Sequence, residues 1–193
     1  MHGLRSVIAA TLTYLLTGCL AMTHAQSPQK PYVSAAWPLT FKKHDFGAHC
    51  YNTLRCEVIY DNFNFTRDLA ERPSGPPSSP DYRERWKNAA YLGVRNFPSP
   101  AEVKWTSLDG SEHSEEIDIA AIFKDEHILH RVAQDNIPEG WGHEVRPNIF
   151  IEVNDRTVSV LMRAHVATKD LQIPGNQYSN FRNDTLLAWS KTY

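Results

Sequence analysis

Residues 44–60 read HDFGAHCYNTLRCEVIY, and this segment contains two of the three cysteines of the chain. The residues between Cys50 and Cys56 have the length of a hairpin loop, and the apolar run 58–60 follows on the downstream arm. Facing positions on a hairpin bring two β-carbons close enough for a disulfide bond. We therefore predict a hairpin stapled by a Cys50–Cys56 disulfide, with two free, buried thiols as the alternative.

The compartment depends on the N-terminus, where a short apolar run at 7–16 leads into the tetrapeptide LTGC at 16–19. The run has the length of a signal peptide and is too short to span a bilayer. Small residues before the cysteine permit signal cleavage, and the thiol can carry a diacylglycerol. We predict that residues 1–18 are a lipoprotein signal peptide and that Cys19 is lipidated. The alternative is an ordinary secretory signal cut after Ala25.

The length of the chain predicts one domain, and the N-terminal signal predicts that it is exported. The 193 residues carry a formal net charge of −2, and nothing in the composition suggests the basic face that nucleic acid requires. We predict a flexible tether at 19–36, which is polar and contains prolines, followed by a single globular domain at 37–193. Lipid on Cys19 leaves Cys50 and Cys56 as an even pair in an oxidising compartment, which favours the disulfide.

Alternation of apolar residues with period two predicts two further hairpins and a final strand. The first hairpin has arms at 101–106 and 117–119 and a turn at 108–111. The second has arms at 149–153 and 158–166 and a turn at 154–156. The final strand is predicted at 185–193, where a short helix is the alternative.

Apolar residues at helical spacing predict one helix over 124–134, with Asp125 as its N-cap. Together the elements predict the α+β class, with a predominantly antiparallel β-sheet, hairpins, and one or two short helices packed on a face.

The sequence contains no nucleophile elbow, no zinc-protease helix motif, no phosphate-binding glycine loop and no Cys-x-x-Cys pair. His127 and His130 lie three residues apart on the predicted helix, where they could share a ligand face, and His44 and His49 flank the first strand. No third ligand lies near the helix pair in sequence. We therefore predict no metal, no cofactor and no enzymatic activity, with solvated or hydrogen-bonded histidines.

Three segments are candidates for a partner-binding surface. Carboxylates crowd the return arm 112–118, either as a solvated or guarded sheet edge or as an acidic patch facing a basic partner. Trp141 lies between two glycines, either as an exposed interface anchor or packed onto the sheet. The proline-dense segment 71–80 is predicted as a long exposed loop, which is either disordered or functional.

The chain resembles the small periplasmic lipoproteins that act as immunity proteins against phospholipase effectors of the bacterial type VI secretion system. The residues that carry the resemblance are the lipobox ending in Cys19, the segment 44–60, and VKWTSLDG at 103–110 followed by an Ile-Asp-Ile strand at 117–119. The similarity extends over most of the mature chain in layout and is specific around the two cysteines.

The resemblance implies stoichiometric inhibition, in which the tethered domain binds a lipase delivered into the periplasm and blocks its active site or its contact with lipid. The implied partners are a cognate phospholipase effector and, through the lipid anchor, the membrane. Leu20 after the lipidated cysteine favours the outer membrane. The resemblance identifies no contact residues, and we add as candidates the loop 71–80, the hairpin tip at Asp109 and Gly110, and Trp141.

Two rival functions stay open. A general envelope lipoprotein would act as a ligand-binding or assembly module, and its gene would not be paired with that of a toxin. An unrecognised hydrolase would lose turnover when His127 or His130 is replaced by alanine.

Overall fold

The structure of this chain, a computed structural model, describes residues 37–141 and 145–193. The predicted signal peptide, the tether and Cys19 lie outside them. In chain order the elements are β1 (Lys43–Tyr51), β2 (Thr53–Tyr60), β3 (Phe63–Asn64), β4 (Tyr91–Arg95), β5 (Ala101–Ser107), β6 (Glu112–Ile117), α1 (Ile119–Ile122), β7 (Asn148–Asn154), β8 (Thr157–Arg163), β9 (Val166–Ala167), β10 (Phe181–Arg182) and β11 (Thr185–Thr192). Two 3₁₀ turns lie at Arg67–Leu69 and Gln134–Asn136.

The described strands form three sheets. The five-stranded sheet has the order β11-β8-β7-β1-β4, the four-stranded sheet has the order β3-β2-β5-β6, and β9 pairs with β10. Within this part of the chain β1 and β7 run parallel, and the other neighbouring strands run antiparallel. The fold is therefore β-rich and predominantly antiparallel, as predicted.

The segment 44–60 forms two strands that belong to different sheets, so the predicted hairpin between them is wrong. Ala48 of β1 lies opposite Ile151 of β7, and Cys56 of β2 lies opposite Trp105 of β5. The chain changes sheets at Asn52, whose φ of 52° lies in the left-handed region. Each arm pairs with an apolar strand that is distant along the chain, and local spacing cannot reveal such long-range pairing.

The predicted disulfide is present, with the Cα atoms of Cys50 and Cys56 6.3 Å apart. Because β1 and β2 lie in different sheets, the bond staples the two sheets together.

Side chains from the inner faces of both large sheets share one buried cluster. The ring centroids of Phe46 in β1 and Tyr60 in β2 are 4.3 Å apart. Trp105 in β5 donates its indole N–H to the carbonyl oxygen of Asp155, in the turn between β7 and β8, at 2.8 Å. Burial of this apolar surface is the main favourable contribution to folding. The two sheets thus form one core.

The structure contains the two other predicted hairpins, but the second arm of each ends earlier than predicted. β6 ends at Ile117, because Asp118 caps α1 and Ile119 is helical. β8 ends at Arg163, and Val166 belongs to β9, which pairs with β10. β5 and β6 form the first hairpin, and β5 alternates buried and exposed side chains along its length. β7 and β8 form the second hairpin around Asp155, whose φ is 52°. The final segment is a strand, β11, and pairs with β8.

The helix predicted over 124–134 is wrong. Glu126 has a φ of 53°, which interrupts a right-handed helix, and the N–H of Ile128 donates to the carbonyl oxygen of Leu39 at 2.9 Å. The segment is extended beside 39–41, and its apolar residues enter the core from that conformation. Apolar spacing over a short window cannot distinguish a helix from such a segment.

The helix that does form is α1, a single turn beside the predicted one. Asp118 caps it by accepting a hydrogen bond from the N–H of Ala121 at 2.9 Å, so the predicted cap at Asp125 is also wrong. Of the α+β prediction, the β-rich part is confirmed, and helices packed on a face are not. No helix in the described ranges combines the length and apolarity needed to cross a bilayer.

Candidate functional site

The strand β1 loses its β4 neighbour after Phe46 and continues beside β7. Lys43, His44 and Phe46 pair with β4, whereas the rest of β1, as far as Tyr51, pairs only with β7. On the open side, pairing resumes at Asn52, whose N–H donates to the carbonyl oxygen of Gly75 at 3.1 Å. The sheet edge therefore has a gap between Phe46 and Asn52, about 20 Å long at the usual rise per strand residue.

The backbone groups that face this gap follow from the alternation along the strand. The N–H of Asp45 donates to Pro147 at 2.8 Å, and the carbonyl oxygen of Tyr51 accepts from Asp155 at 3.0 Å, so odd-numbered residues face β7. The N–H and C=O groups of Ala48 and Cys50 therefore face the gap. Among the described residues, no strand pairs with them.

Two adjoining cavities lie along the gap, with volumes of about 450 Å³ and about 340 Å³. The first extends toward the segment 63–72 and the second toward the segment 87–91. Both are lined by Ala48, His49, Phe63 and Phe65. We call the gap with its two cavities the β1 groove.

One wall of the β1 groove is aromatic. The ring of Phe63 stacks on that of Tyr91 with centroids 5.2 Å apart, and Phe65 packs edge-on against Phe46 of the core at 4.8 Å. Phe63 is 48% exposed. An aromatic ring that is anchored on one side and open on the other is typical of a binding surface.

The opposite wall contains His49, whose imidazole stacks on the indole of Trp86 at 4.2 Å. The pKa of His49 is lowered to about 4, chiefly by burial; the Glu152 carboxylate opposes this shift and the Arg163 guanidinium adds to it. The ring is therefore neutral at physiological pH. A neutral imidazole at the groove can donate or accept a hydrogen bond without carrying a charge.

A buried polar cluster on the outer face of the five-stranded sheet holds Trp86 in place. Arg83 binds the carboxylate of Glu152 through two hydrogen bonds of 2.9 and 2.6 Å, and Tyr82 donates to the same carboxylate at 3.0 Å. Arg163 donates to the carbonyl oxygens of Arg83 and Trp86. These bonds pin the segment 81–89 to the sheet, which makes that wall of the groove rigid.

The rim of the groove is basic. Arg67 and Arg72 line the first cavity and Lys87 lines the second, and all three side chains belong to exposed residues. None of the ion pairs between described residues involves them. Asp68 is the carboxylate among the lining residues of these two cavities, so the rim has an excess of positive charge.

The structure brings two of the predicted contact regions to one end of the domain. Thr53 lies opposite Ser107, which precedes the tip at Asp109 and Gly110. The carbonyl oxygen of Thr53 also accepts a hydrogen bond from the N–H of Ser74, in the loop 71–80. The loop 71–80 is thus tied to the sheet. Asp109 and Gly110 are exposed, and their role in binding stays a prediction.

Trp141, the third predicted contact region, lies in the segment that leads into β7. Its side chain is half-buried against the shared core. Its role as an interface anchor stays a prediction, and the next residues, 142–144, lie outside the described part of the chain.

The histidines considered for metal binding do not converge. His44 and His49 lie on opposite faces of β1; His44 is buried between Tyr60 and Asn96, and burial lowers its pKa. His127 and His130 share no helix face, because that helix does not form. No three His, Cys, Asp or Glu side chains in the described ranges are grouped to hold a metal ion.

Sequence reasoning missed the β1 groove, and in particular Phe63, Phe65 and Arg67. The alternation Phe63-Asn64-Phe65 is a strand signal, but it does not reveal that the neighbouring edge of β1 is open. That property depends on which distant strands pair with β1.

Comparison with known proteins gives no match, whether to a protein-family model, to a curated protein or to a solved structure.

Proposed function

We propose that this protein is a lipid-anchored periplasmic inhibitor that binds and neutralises a phospholipase effector of a type VI secretion system. It acts stoichiometrically, by protein–protein contact, and requires no cofactor. Lipid on Cys19 holds it at the membrane, with the outer membrane as the proposed site.

The observation that carries a binding role is the β1 groove. Its walls are fixed before any partner arrives, by the Cys50–Cys56 disulfide on one side and the Arg83–Glu152 pair on the other. A preorganised surface loses little conformational freedom on binding, so more of the contact energy contributes to affinity. The phospholipase as target is supported by the resemblance of the segments 44–60 and 103–110.

The experiment is co-purification of the mature protein with the lipase encoded beside its gene, combined with a protection assay. Cells that express this lipase in the periplasm should survive when they also produce the lipoprotein, and the two proteins should elute as one complex. A purified pair that does not associate, together with cells that are not rescued, would contradict the proposal.

The second candidate is an envelope lipoprotein that binds a small ligand. The observation in its favour is the cavity of about 340 Å³ lined by Phe46, Phe65 and Phe150, since ligand pockets are concave and mostly apolar. A gene with no toxin beside it, and an apolar dye that binds this cavity and is displaced by envelope lipids, would favour this function over inhibition.

The anchor is tested by Cys19→Ser. Without the thiol no diacylglycerol can be attached, so the protein should move from the membrane fraction to the soluble periplasmic fraction. The Cys50→Ser/Cys56→Ser variant is the control and should stay in the membrane fraction. A Cys19→Ser protein that still sediments with membranes would exclude lipidation as the anchor.

A further inference from the structure

We infer that the partner is held by strand addition, in which an extended segment with apolar and acidic side chains pairs with Ala48 and Cys50 in the β1 groove. This inference rests on the proposed function, because it names the surface with which the inhibitor binds the lipase.

The backbone of β1 determines the geometry of the occupant. Two N–H groups and two C=O groups, those of Ala48 and Cys50, face a gap that ends at the Phe46–Tyr91 pair on one side and at the Asn52–Gly75 bond on the other. Such unpaired groups are a template for another strand. The gap of about 20 Å accommodates a strand of about five residues.

The walls of the groove determine which side chains the added strand should carry. One face of an added strand meets the rings of Phe63 and Phe65, which favours apolar residues at alternate positions. The rim carries Arg67, Arg72 and Lys87, none of them in an ion pair with another described residue. Charge complementarity therefore favours Asp or Glu beside the apolar residues of the segment.

The same charges argue against a second copy of this chain as the occupant. Two copies that paired edge to edge through β1 would use the same patch on both sides. Arg67, Arg72 and Lys87 of one copy would then approach those of the other, and like charges across an interface oppose association.

The first test removes one backbone donor. Ala48→Pro deletes the N–H that faces the gap, and an edge position whose N–H is outside the ladder tolerates proline. The probe is a catalytically inactive form of the lipase encoded beside the gene. We expect Ala48→Pro to weaken its binding about tenfold or more, the effect of a lost and blocked hydrogen bond.

The matched control is Ser114→Pro in β6, an edge strand of the other large sheet. The carbonyl oxygen of Ser111 faces β5, where it accepts from Ser107, so by alternation the N–H of Ser114 points away from the sheet. Ser114→Pro should bind the lipase like the wild type. Circular dichroism and the thermal midpoint should show that both proline variants are folded. If Ala48→Pro is unfolded, the exchange experiment below decides.

The second test is hydrogen–deuterium exchange of the unmodified protein. The amide hydrogens of Ala48 and Cys50, which face the gap, should exchange fast in the free protein and slowly in the complex with the lipase. Those of Gly47, His49 and Tyr51 face β7 and should exchange slowly in both states. Protection of the Ala48 and Cys50 amides already in the free protein would mean that another part of this chain occupies the edge, and a dimer that Ala48→Pro dissociates would mean that a second copy does. Either result overturns the inference.

The third test addresses the charges. The double variant Arg67→Glu/Arg72→Glu should slow association with the lipase about tenfold at low salt, because steering depends on the rim charge. Lys124→Glu changes an exposed lysine outside the groove and is the control, with a small effect expected. Equal effects of the two variants would contradict the proposed acidic segment.

The outcomes separate the inference from the proposed function. A wild-type protein that does not bind the lipase overturns both. Strand addition is overturned, and the inhibitory function left standing, if the wild-type protein binds the lipase with new protection at 71–80 or 108–111 instead of at Ala48 and Cys50. Folded Ala48→Pro should in that case bind like the wild type.

Discussion

Arg83 holds the carboxylate of Glu152 by two hydrogen bonds, from Nε to Oε2 at 2.9 Å and from Nη2 to Oε1 at 2.6 Å. Glu152 is 2% exposed and lies on the outer face of β7, whereas Arg83 belongs to the segment 81–89 that crosses it. The pair therefore joins a segment without regular strands to β7, a strand whose residues are almost all buried. This contact fixes one wall of the β1 groove.

Replacing Arg83 should destabilise the fold. Arg83→Met leaves Glu152 as a buried carboxylate without its counter-charge, and breaking a buried pair in this way costs about 3 kcal/mol. The exposed pair of Arg85 with Asp81 provides the control, and Arg85→Met should lower the free energy of unfolding by about 0.5 kcal/mol or less. Urea unfolding at pH 7 measures both. Equal losses of stability in the two variants would mean that the Arg83–Glu152 pair contributes no more than an exposed ion pair.

His49 should make stability depend on pH. Burial lowers its pKa from 6.5 in the unfolded chain to about 4, so between these values the unfolded state binds a proton that the folded state does not. Protonation of the unfolded state therefore lowers the free energy of unfolding as the pH falls from 6.5 toward 4, and this loss is absent above pH 6.5. Between pH 7 and pH 5 the loss attributable to His49 should be about 2 kcal/mol.

The measurement is the free energy of unfolding at both pH values for the wild type and for His49→Gln. The variant should lose less stability on acidification, whereas His127→Gln, at an exposed histidine, should follow the wild type. An unchanged pH dependence in His49→Gln would show that other groups account for the acid sensitivity.

The disulfide should stabilise the domain by restricting its unfolded state. Closing the short loop between Cys50 and Cys56 contributes about 2.4 kcal/mol in the chain-entropy description. Cys50→Ser/Cys56→Ser should lower the free energy of unfolding by about that amount, and a reductant should then affect the wild type but not the variant. Mass mapping without reductant should recover the linked peptides from periplasmic material. Free thiols there would contradict the assigned bond.

Gly47 should not tolerate a larger side chain. A Cβ atom at this position would lie 3.1 and 3.2 Å from two ring carbons of Phe150, on the outer face of the sheet. Overpacking of this kind costs about 1–3 kcal/mol, so Gly47→Val should lower the thermal midpoint. Gly75→Ala is the control, since a Cβ there meets no atom within 4 Å. Combining Gly47→Val with Phe150→Leu should restore part of the loss if the clash with Phe150 is the cause.

Local patterns predict part of the strands and miss β3, β4 and β10. The alternation in 101–106 and 149–153 reflects one buried face per strand, a property of neighbouring residues in the chain, and the structure has these strands with the predicted turns. The cysteine pair was also predictable, because the two residues are close in sequence and no other pairing is left once Cys19 is assigned to lipid. The hairpin at 44–60 and the helix at 124–134 failed for a shared reason. Each local pattern fits more than one conformation, and contacts with distant segments select between them.

The sequence alone thus specifies the strands β5, β7, β8 and β11 and the two thiols that can meet, since these depend on residues within a few positions of one another. Tertiary structure decides that β1 runs parallel to β7, that the Cys50–Cys56 bond joins two sheets, and that the edge at Ala48 is left open. These features depend on competition among strands that are distant along the chain. Burial of whole sheet faces decides which strands pair, and this burial depends on residues far apart in the sequence.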